Sequence, residues 1–537
     1  MKRLFACLCI LSFGCSPVWA DSYPRNPDID VRHYTFRLQL FDRSDEIEGE
    51  AEVTIQFPKA GVTRFALNLV GKGPEDSTGM SVTAVRWGEA DLPFQQQHAR
   101  LQISLPTPST AGESRVFTIS YHGRPADGLI ISRNKFGDRT FFGDNWPDRA
   151  HYWLPTVDHP SDKATCDFVV TAPAHYQTVA NGRLVEERDL PGDRRETHWR
   201  ESVPIPTKVM VIGVARFAVQ YLDVHGKTPL QSWVYPQDRE AGFADFAQAG
   251  AILDFYTRRI GPFPYEKLAN VQSRTRYGGM ENASAIFYAE NAVRGDSSNR
   301  PLLAHEIAHQ WFGDSITEAD WHHIWLSEGF ATYFAWIYTE MTSGPEQMRK
   351  QLKRARERIF SAAQQHPGSA VIDTTITDLN RLLNVNTYQK GAWVLHMLRK
   401  QVGEEHFWQG IRQFYDRYRD RNALTRDFQR VMEEVSKQRL DWFFRQWLYR
   451  PGYPVLKAEW TYRRKNRQVS LTITQIQHGP AFQLALEVVV QGKDGARRKT
   501  VQMHERKAAL EIAVEEPSAV VLDPETWLLM QASVTQR

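Results

Sequence analysis

The stretch HEIAHQWFGD, residues 305–314, contains two histidines four positions apart, with a glutamate directly after the first. Residues four apart on an α-helix lie on the same face, so His305 and His309 can bind one metal ion together. Neutral imidazole suits zinc, and Glu306 lies one step round the helix, where it can reach a water molecule without being a ligand. The HExxH pattern is a signature of this arrangement. A surface helix that happens to carry two histidines is the alternative.

The third metal ligand distinguishes between these interpretations, because a catalytic zinc site has three protein ligands and an open position. A metzincin-type extension would need a glycine at 312 and a histidine at 315, but the sequence has Phe312 and Ser315. Glu328, in WLSEGFATYF, follows His309 by nineteen residues within a predicted helix and is the favoured ligand. Gly313 is expected to end the first helix, which lets the chain return. The competing candidates are nearer in sequence: Glu318, Asp320, His322 and His323.

The pattern of apolar residues outside this stretch predicts three regions. The chain has 537 residues, and at roughly 100–200 residues per domain this length suggests about three or four domains. Apolar and polar residues alternate with the period of strands up to about residue 219, and the period becomes helical from about residue 239. The expected helices cover residues 301–312, 322–341, 346–364, 387–401 and 404–449. RPGYP, residues 450–454, breaks the helical pattern, and strand patterns follow it.

These patterns predict a multidomain α+β fold. We expect a β-rich N-terminal domain at residues 21–219, an α-rich domain at 220–450 and a small C-terminal β-domain at 451–537. The formal charge of +3 is small for this length, and no basic stripe indicates a nucleic-acid partner.

The first twenty residues have the features of a signal peptide. Lys2 and Arg3 precede an apolar run at residues 4–13, and VWA, residues 18–20, puts small or modest residues where a signal peptidase needs them, with a predicted cleavage after Ala20. Export to the periplasm or the medium is therefore expected, and a lipid anchor on Cys15 is the alternative. No later run is long enough for a transmembrane helix. After cleavage only Cys166 would remain, so no intramolecular disulfide could form; a buried position on a strand is expected for it.

Two further motifs accompany the histidine pair. GGMEN, residues 278–282, precedes it, and YQKG, residues 388–391, follows Glu328. The four motifs, in this order and at this spacing, resemble the gluzincin aminopeptidases of the aminopeptidase N type, a family that includes leukotriene hydrolase. The resemblance implies that the N-terminal domain is a β-sandwich or saddle, that the middle domain is a thermolysin-like catalytic domain and that the C-terminal domain is a small β-sandwich. It also implies one zinc ion per chain and peptide substrates with a free N-terminus. It also implies that Glu306 is the general base and that Tyr388 donates a hydrogen bond to the oxyanion.

The GGMEN motif implies the substrate-binding residues. Glu281 can pair with the free α-ammonium group of a peptide, which places the first peptide bond over the metal. Gly278 and Gly279 let the backbone approach the peptide closely, so that it can pair like an added strand. Met280 and Asn282 complete the motif. The identity of the preferred N-terminal side chain is not determined by the sequence.

The sequence departs from the family in three places. The family's N-terminal domain usually adds a second polar residue to the amine site, and the alignment of LPTVDHP, residues 154–160, puts Asp144 there, with Asn145 or a structural loop as alternatives. Many relatives continue into a large helical domain; this chain ends at Arg537, so we expect a more open cleft or one covered by another subunit of a homo-oligomer. His323 replaces a frequent aspartate.

Three functions fit these motifs to different degrees. A zinc aminopeptidase is favoured. An epoxide hydrolase of the leukotriene hydrolase type would use the same zinc site, and a non-catalytic relative would only bind peptide. The last usually lacks a ligand or the base, whereas this sequence retains all of these residues.

Overall fold

The computed structural model describes residue 23 and the ranges 26–73, 77–226 and 228–537. The predicted signal peptide, with Cys15 and the cleavage site, lies outside the described residues, and its prediction stays untested.

The N-terminal region consists of strands. They are β1 Asp30–Gln39, β2 Ile47–Phe57, β3 Arg64–Asn68, β4 Gly79–Trp87, β5 Ala90–Asp91, β6 Phe94–Gln97, β7 Arg100–Ser104, β8 Glu113–Arg124, β9 Leu129–Arg133, β10 Arg139–Gly143, β11 Lys163–Pro173, β12 Gln177–Ala180, β13 Arg183–Leu190, β14 Arg194–Pro206 and β15 Ile212–Ala215. The largest sheet has the order β13-β14-β11-β1-β2-β8-β4-β5, and two smaller sheets, β12-β15-β10-β9 and β3-β7-β6, accompany it. In β1 the side chains of Tyr34, Phe36 and Leu38 are buried at alternate positions, as the sequence pattern predicts.

The middle region begins with a mixed sheet of order β16-β17-β18-β20-β19. Its strands, and the two that form a small separate sheet, are β16 Ala218–His225, β17 Thr228–Val234, β18 Leu268–Ser273, β19 Gly279–Met280, β20 Ala285–Ala289, β21 Ile316–Glu318 and β22 Arg421–Ala423. β17, β18 and β20 run parallel, and β18 is buried along its whole length, as expected for a central parallel strand. Since β16 already belongs to this sheet, the change between regions falls between Ala215 and Ala218 rather than after residue 219.

The helices of the middle region are α1 Arg239–Phe246, α2 Ala249–Arg259, α3 Arg300–His309, α4 Trp325–Ser343, α5 Pro345–Gln365, α6 Gly391–Val402, α7 Glu404–Tyr418, α8 Thr425–Ser436 and α9 Asp441–Leu448. The stretch predicted as one helix over 404–449 is three helices, because β22 and a left-handed Lys437 (φ 56°) interrupt it. The helix predicted from residue 387 begins at Gly391, after a π-helical turn over Asn386–Lys390.

The C-terminal region forms two sheets, of order β27-β24-β23-β29 and β26-β25-β28. Their strands are β23 Val455–Arg463, β24 Gln468–Gln475, β25 Leu484–Gly492, β26 Gly495–Met503, β27 Lys507–Ala513, β28 Ala519–Leu522 and β29 Gln531–Gln536. The apolar side chains of these sheets and of the helices belong to one continuous buried cluster. The predicted multidomain α+β architecture is therefore confirmed. Within the part of the chain that the structure describes, no helix combines the length and the apolar character needed to span a membrane.

Candidate metal centre

Helices α3 and α4 bring the predicted metal ligands together. α3 begins with Pro301 in its first turn and ends at His309, and the chain reverses through Gly313 before α4 carries Glu328 back in its own first turn. Gly313 has φ 124°, a conformation that side chains rarely adopt, and a Cβ here would collide with Ser327 Oγ. The reversal therefore requires glycine, but α3 ends at His309, so Gly313 lies in the turn that follows the helix rather than at the predicted helix end.

The three ligand atoms have the spacing of a tetrahedral metal site. His305 Nε2 and His309 Nε2 are 3.1 Å apart, and each is 3.4 Å from Glu328 Oε2. Zinc–ligand bonds of about 2.0–2.1 Å at tetrahedral angles put ligand atoms about 3.3 Å apart. Glu328 Oε2 is buried without a hydrogen-bond partner among the described residues. This two-nitrogen, one-oxygen donor set fits zinc.

The ring of His309 is held from its other side. Its Nδ1 lies 3.2 Å from the carbonyl oxygen of Phe312 and 3.0 Å from Ser327 Oγ. Contacts of this kind fix the tautomer and orientation of a metal-binding imidazole. Ser327 directly precedes Glu328, so one turn of α4 supplies both a ligand and the group that orients another.

Glu306 lies on the same helix and faces the same cavity. Its side chain is buried, and burial together with the neighbouring carboxylates of Glu281 and Glu328 raises its pKa well above the usual range, against the opposing effect of His309. Gly279 of β19 packs directly on this carboxylate, and a Cβ there would overlap it. The GGMEN strand and the general-base candidate therefore fit together only because residue 279 is glycine.

Glu281 is held beside the ligands by its backbone. Gln310 Nε2 donates to the Glu281 carbonyl (2.7 Å) and to Asp314 Oδ2 (3.0 Å), and Gln310 Oε1 accepts from the Ser284 amide (2.8 Å). The side chain of Glu281 is buried, and its Oε1 has no hydrogen-bond partner within the described ranges. An unpaired buried carboxylate is costly unless a cation reaches it. The oxygen therefore suits a cationic group that arrives in the cavity.

Tyr388 reaches the site from the π-helical turn before α6. Its ring stacks on that of His305, with centroids 5.9 Å apart and planes at 12°. Burial, followed by the carboxylates of Glu328, Glu281 and Glu306, raises the pKa of the phenol well above its usual value. The hydroxyl therefore keeps its proton and is available as a hydrogen-bond donor.

These groups share one cavity of about 230 Å³. It contains the three ligands, Glu306, Tyr388 and four residues of the GGMEN segment, Gly278, Gly279, Met280 and Glu281. Sequence reasoning missed four further residues of its lining: Trp146, Tyr277, Leu302 and Leu383. Leu302 lies one helical turn before His305 and could have been found from the helix period. No local signal marks Trp146 or Leu383, which arrive from distant segments.

The competing third ligands are engaged elsewhere. Glu318 Oε1 accepts from Lys208 Nζ at 2.6 Å in a fully buried ion pair. Asp320 accepts from the backbone amide of His322, whose ring faces the Ile376 carbonyl at 2.8 Å. His323 Nδ1 lies 2.8 Å from Thr425 Oγ1, and burial lowers its pKa to about 4. None of these four residues lines the cavity.

The structure does not bring Asp144 or Asn282 into the cavity. Asp144 pairs through Oδ1 with Arg149 (2.7 Å), while its Oδ2 accepts from the Arg276 amide (3.0 Å) and from Thr275 Oγ1 (3.2 Å). Its carboxylate is therefore already satisfied by the protein. The alternative, Asn145, hydrogen-bonds to the carbonyls of Thr207 and Met210 and has a structural role. Asn282 is fully buried and does not line the cavity.

Comparisons with known proteins agree with this geometry. The model of the Peptidase M1 N-terminal domain matches residues 31–209, and that of the Peptidase family M1 domain matches residues 245–447. A protein of Sulfurisphaera tokodaii named probable aminopeptidase 2 is 26% identical over 420 residues, covering 72% of this chain and 52% of its own length. Human glutamyl aminopeptidase is 29% identical over 335 residues, covering 59% of this chain and 34% of its own length.

The fold has a match of similar extent among solved structures. The M1 zinc metallopeptidase from Deinococcus radiodurans superposes with a TM-score of 0.66 at 24% identity, covering 78% of this chain and 93% of that one. By contrast, the chain spans about half the length of the first curated relative and about a third of the second. The resemblance seen in four short motifs thus extends over both matched domains, and the chain belongs to the M1 peptidase family.

Proposed function

We propose that this chain is a zinc-dependent aminopeptidase that removes single residues from the N-termini of peptides. One observation carries the proposal: a metal-ligand triad, a buried glutamate beside it and a second, unpaired glutamate share one cavity. The first two are the requirements for hydrolysis, and the third is a means of recognising a free amine. Membership of the M1 family supports the same activity.

Glu306 is proposed as the general base. Zinc held by His305, His309 and Glu328 would supply a Lewis acid for the scissile carbonyl and lower the pKa of the attacking water. Glu306 takes the proton from that water and passes it to the leaving nitrogen.

Tyr388 is proposed to stabilise the transition state. Attack on the carbonyl creates negative charge on its oxygen, and a protonated phenol beside the ligands can donate a hydrogen bond to it. One such donor contributes about 2.7–4 kcal/mol to lowering a barrier.

Glu281 is proposed to restrict cleavage to the first peptide bond. The α-ammonium group of a peptide would pair with the free Oε1 of Glu281, while the adjacent carbonyl lies at the metal site. A substrate without the amine would leave this carboxylate unpaired and desolvated, which costs binding energy.

Hydrolysis of aminoacyl chromogenic amides tests the proposal directly. We expect turnover that is lost with a chelator and restored by zinc, and poor turnover of N-acetylated versions of the same amides. Equal cleavage of blocked and free substrates would contradict the role of Glu281, and activity that survives complete metal removal would contradict the zinc mechanism.

We also propose that the enzyme is exported, supported by the charged and apolar pattern of residues 2–20. N-terminal sequencing of the protein recovered outside the cytoplasm should give a start at Asp21. A start at a modified Cys15 would instead favour the lipid anchor.

A further inference from the structure

The part of the cavity that is not engaged in catalysis is apolar. Beside the metal ligands, Glu306, Glu281 and Tyr388, its lining consists of the two glycines and of Trp146, Tyr277, Met280, Leu302 and Leu383. The α-ammonium site and the carbonyl site fix the two ends of the first residue of a peptide. Since its side chain branches from the carbon between them, this side chain must occupy the apolar part of the same cavity.

The charge in the cavity opposes acidic side chains. Three carboxylates, Glu281, Glu306 and Glu328, lie in the lining, and no lysine or arginine is among the described residues that line it. Arg149 packs against Tyr277, 6.0 Å from its ring centroid, but it forms ion pairs with Asp144 (2.7 Å) and Asp127 (3.8 Å). Zinc would pair with Glu328 and the α-ammonium group with Glu281, so neither cation is left for an acidic substrate side chain, and the apolar part of the lining offers it no cationic partner.

Leu383 forms a wall of the apolar part. It follows the short helical turn Leu379–Leu382, is half-buried, and also lines a second cavity of about 490 Å³. Most of the residues that line this second cavity are polar, among them Asp373, Arg381 and Asn384. Leu383 therefore lies between an apolar space next to the metal site and a polar space beyond it.

Resting on the proposed aminopeptidase function, we propose that the enzyme selects peptides with an apolar first residue and rejects acidic ones, and that Leu383 is a specificity-determining side chain. An acidic first side chain would bring an unpaired charge into the cavity and would make less apolar contact with its wall, and both effects weaken its binding relative to an apolar side chain. We expect kcat/KM for leucyl and phenylalanyl amides to exceed that for the glutamyl amide by about 100-fold.

The Leu383→Ala variant tests whether this side chain determines the specificity of the cavity. Truncation removes apolar contact and opens the inner space to the polar cavity, so the leucyl-to-glutamyl ratio of kcat/KM should fall about tenfold, mainly through a higher KM for leucyl substrate. Leu379→Ala is the matched control, because it makes the same change at the other end of the same turn and lines neither cavity. An unchanged ratio in Leu383→Ala, or an equal fall in both variants, would overturn the role of Leu383.

A binding measurement separates this inference from the proposed function. The zinc-loaded Glu306→Gln protein is titrated calorimetrically with leucine amide, phenylalanine amide and the α-amide of glutamic acid. The titration measures the affinity of the cavity for each amide in the absence of turnover. Tighter binding of the two apolar amides supports the inference even if no substrate is cleaved. If wild type cleaves all free amides but cuts glutamyl and leucyl substrates within about threefold of each other, the aminopeptidase stands and the apolar preference is wrong. Equal binding of the three amides would also overturn the preference.

Discussion

Glu318 and Glu328 are both buried close to the same helix pair, and their surroundings are opposite. The carboxylate of Glu318 meets Lys208 at 2.6 Å, a lysine contributed by the short helical turn that follows β14. The carboxylate of Glu328 lies 3.4 Å from each of two imidazoles and hydrogen-bonds to the Tyr388 hydroxyl, and within the described residues it has no lysine or arginine partner. A buried carboxylate that has its own lysine serves the structure, whereas one that the protein leaves without a cation is available to a metal ion.

Asp144 and Glu281 repeat the contrast at the amine site. Asp144 is satisfied by Arg149 and by two donors of the 275–276 segment, whereas Oε1 of Glu281 has no partner within the described residues. The residues that face the cavity are therefore those whose charge the protein does not neutralise. Substitutions of both members of each pair, Glu318 with Glu328 and Asp144 with Glu281, test this conclusion.

The largest effect is expected for the metal. Glu328→Ala removes the only carboxylate of the triad, so zinc occupancy and activity should fall to background. Glu318→Ala should keep zinc and lose about 3–5 kcal/mol of stability, because Lys208 is left buried without its partner. Atomic absorption and urea unfolding of both variants measure the two outcomes. Stoichiometric zinc in Glu328→Ala would show that Glu328 is not required as a metal ligand.

Glu306→Gln should separate metal binding from turnover. The amide has nearly the shape of the carboxylate, so it preserves the contact with Gly279, but it cannot accept and pass on a proton. We expect kcat to fall by about 10²–10⁴-fold with zinc retained, in steady-state assays combined with metal analysis. A fall in zinc content parallel to that in kcat would show that Glu306 acts through the metal instead.

The local parts of this site could be predicted from the sequence, and the distant parts could not. The helix period places His305 and His309 on one face with Glu306 beside them, and the motifs around this stretch favour a metal site over a surface helix. Glu328 follows from a second helix and the glycine that reverses the chain between them. The structure does not bring Asp144 into the cavity, because its carboxylate is held by Arg149 and by residues 275–276, about 130 positions away. No pattern in one sequence reports such a contact.

The same limit applies to the fold. Strand and helix periods predicted the three regions, since each element buries one of its own faces. These periods did not predict the places where tertiary contacts divide a continuous apolar pattern. One such place is β22, which pairs with β21, a strand more than one hundred residues earlier in the sequence. The apolar cavity wall at Leu383 belongs to the same class.

Glu281→Gln is expected to lower catalytic efficiency, whereas Asp144→Asn is expected to lower thermal stability. Glu281→Gln loses the partner of the α-ammonium group, so kcat/KM for free aminoacyl amides should fall about 100-fold while the slow cleavage of N-acetylated amides stays unchanged. Asp144→Asn should keep near-normal kinetics and lower thermal stability, because Arg149 loses its charged partner. If Glu281→Gln still preferred free over N-acetylated amides, or if Asp144→Asn lost this preference, Glu281 would not be the partner of the α-ammonium group.

Two buried histidines extend the contrast, and the effect expected here is confined to acidic pH. Burial opposes protonation of His309, but the carboxylates of Glu328 and Glu281 raise its pKa to about 10 when no metal is bound. His396 on α6 faces the Thr526 carbonyl and stacks on Trp527 at 4.4 Å, and burial lowers its pKa to about 3. His396 thus docks the C-terminal sheets while neutral.

A depressed pKa makes this docking sensitive to acid. Below about pH 6.5 the unfolded chain protonates residue 396 while the folded protein does not, so the contribution of His396 is complete above pH 6.5 and is lost as the pH falls towards 3. His396→Gln removes this titration. Urea unfolding between pH 7 and 4, with chelator present in both proteins, should therefore show a loss of stability in wild type that is steeper by up to about 1.4 kcal/mol per pH unit. Parallel curves would mean that residue 396 is already protonated in the folded protein, which its burial against Trp527 and the opposing charge of Arg399 argue against.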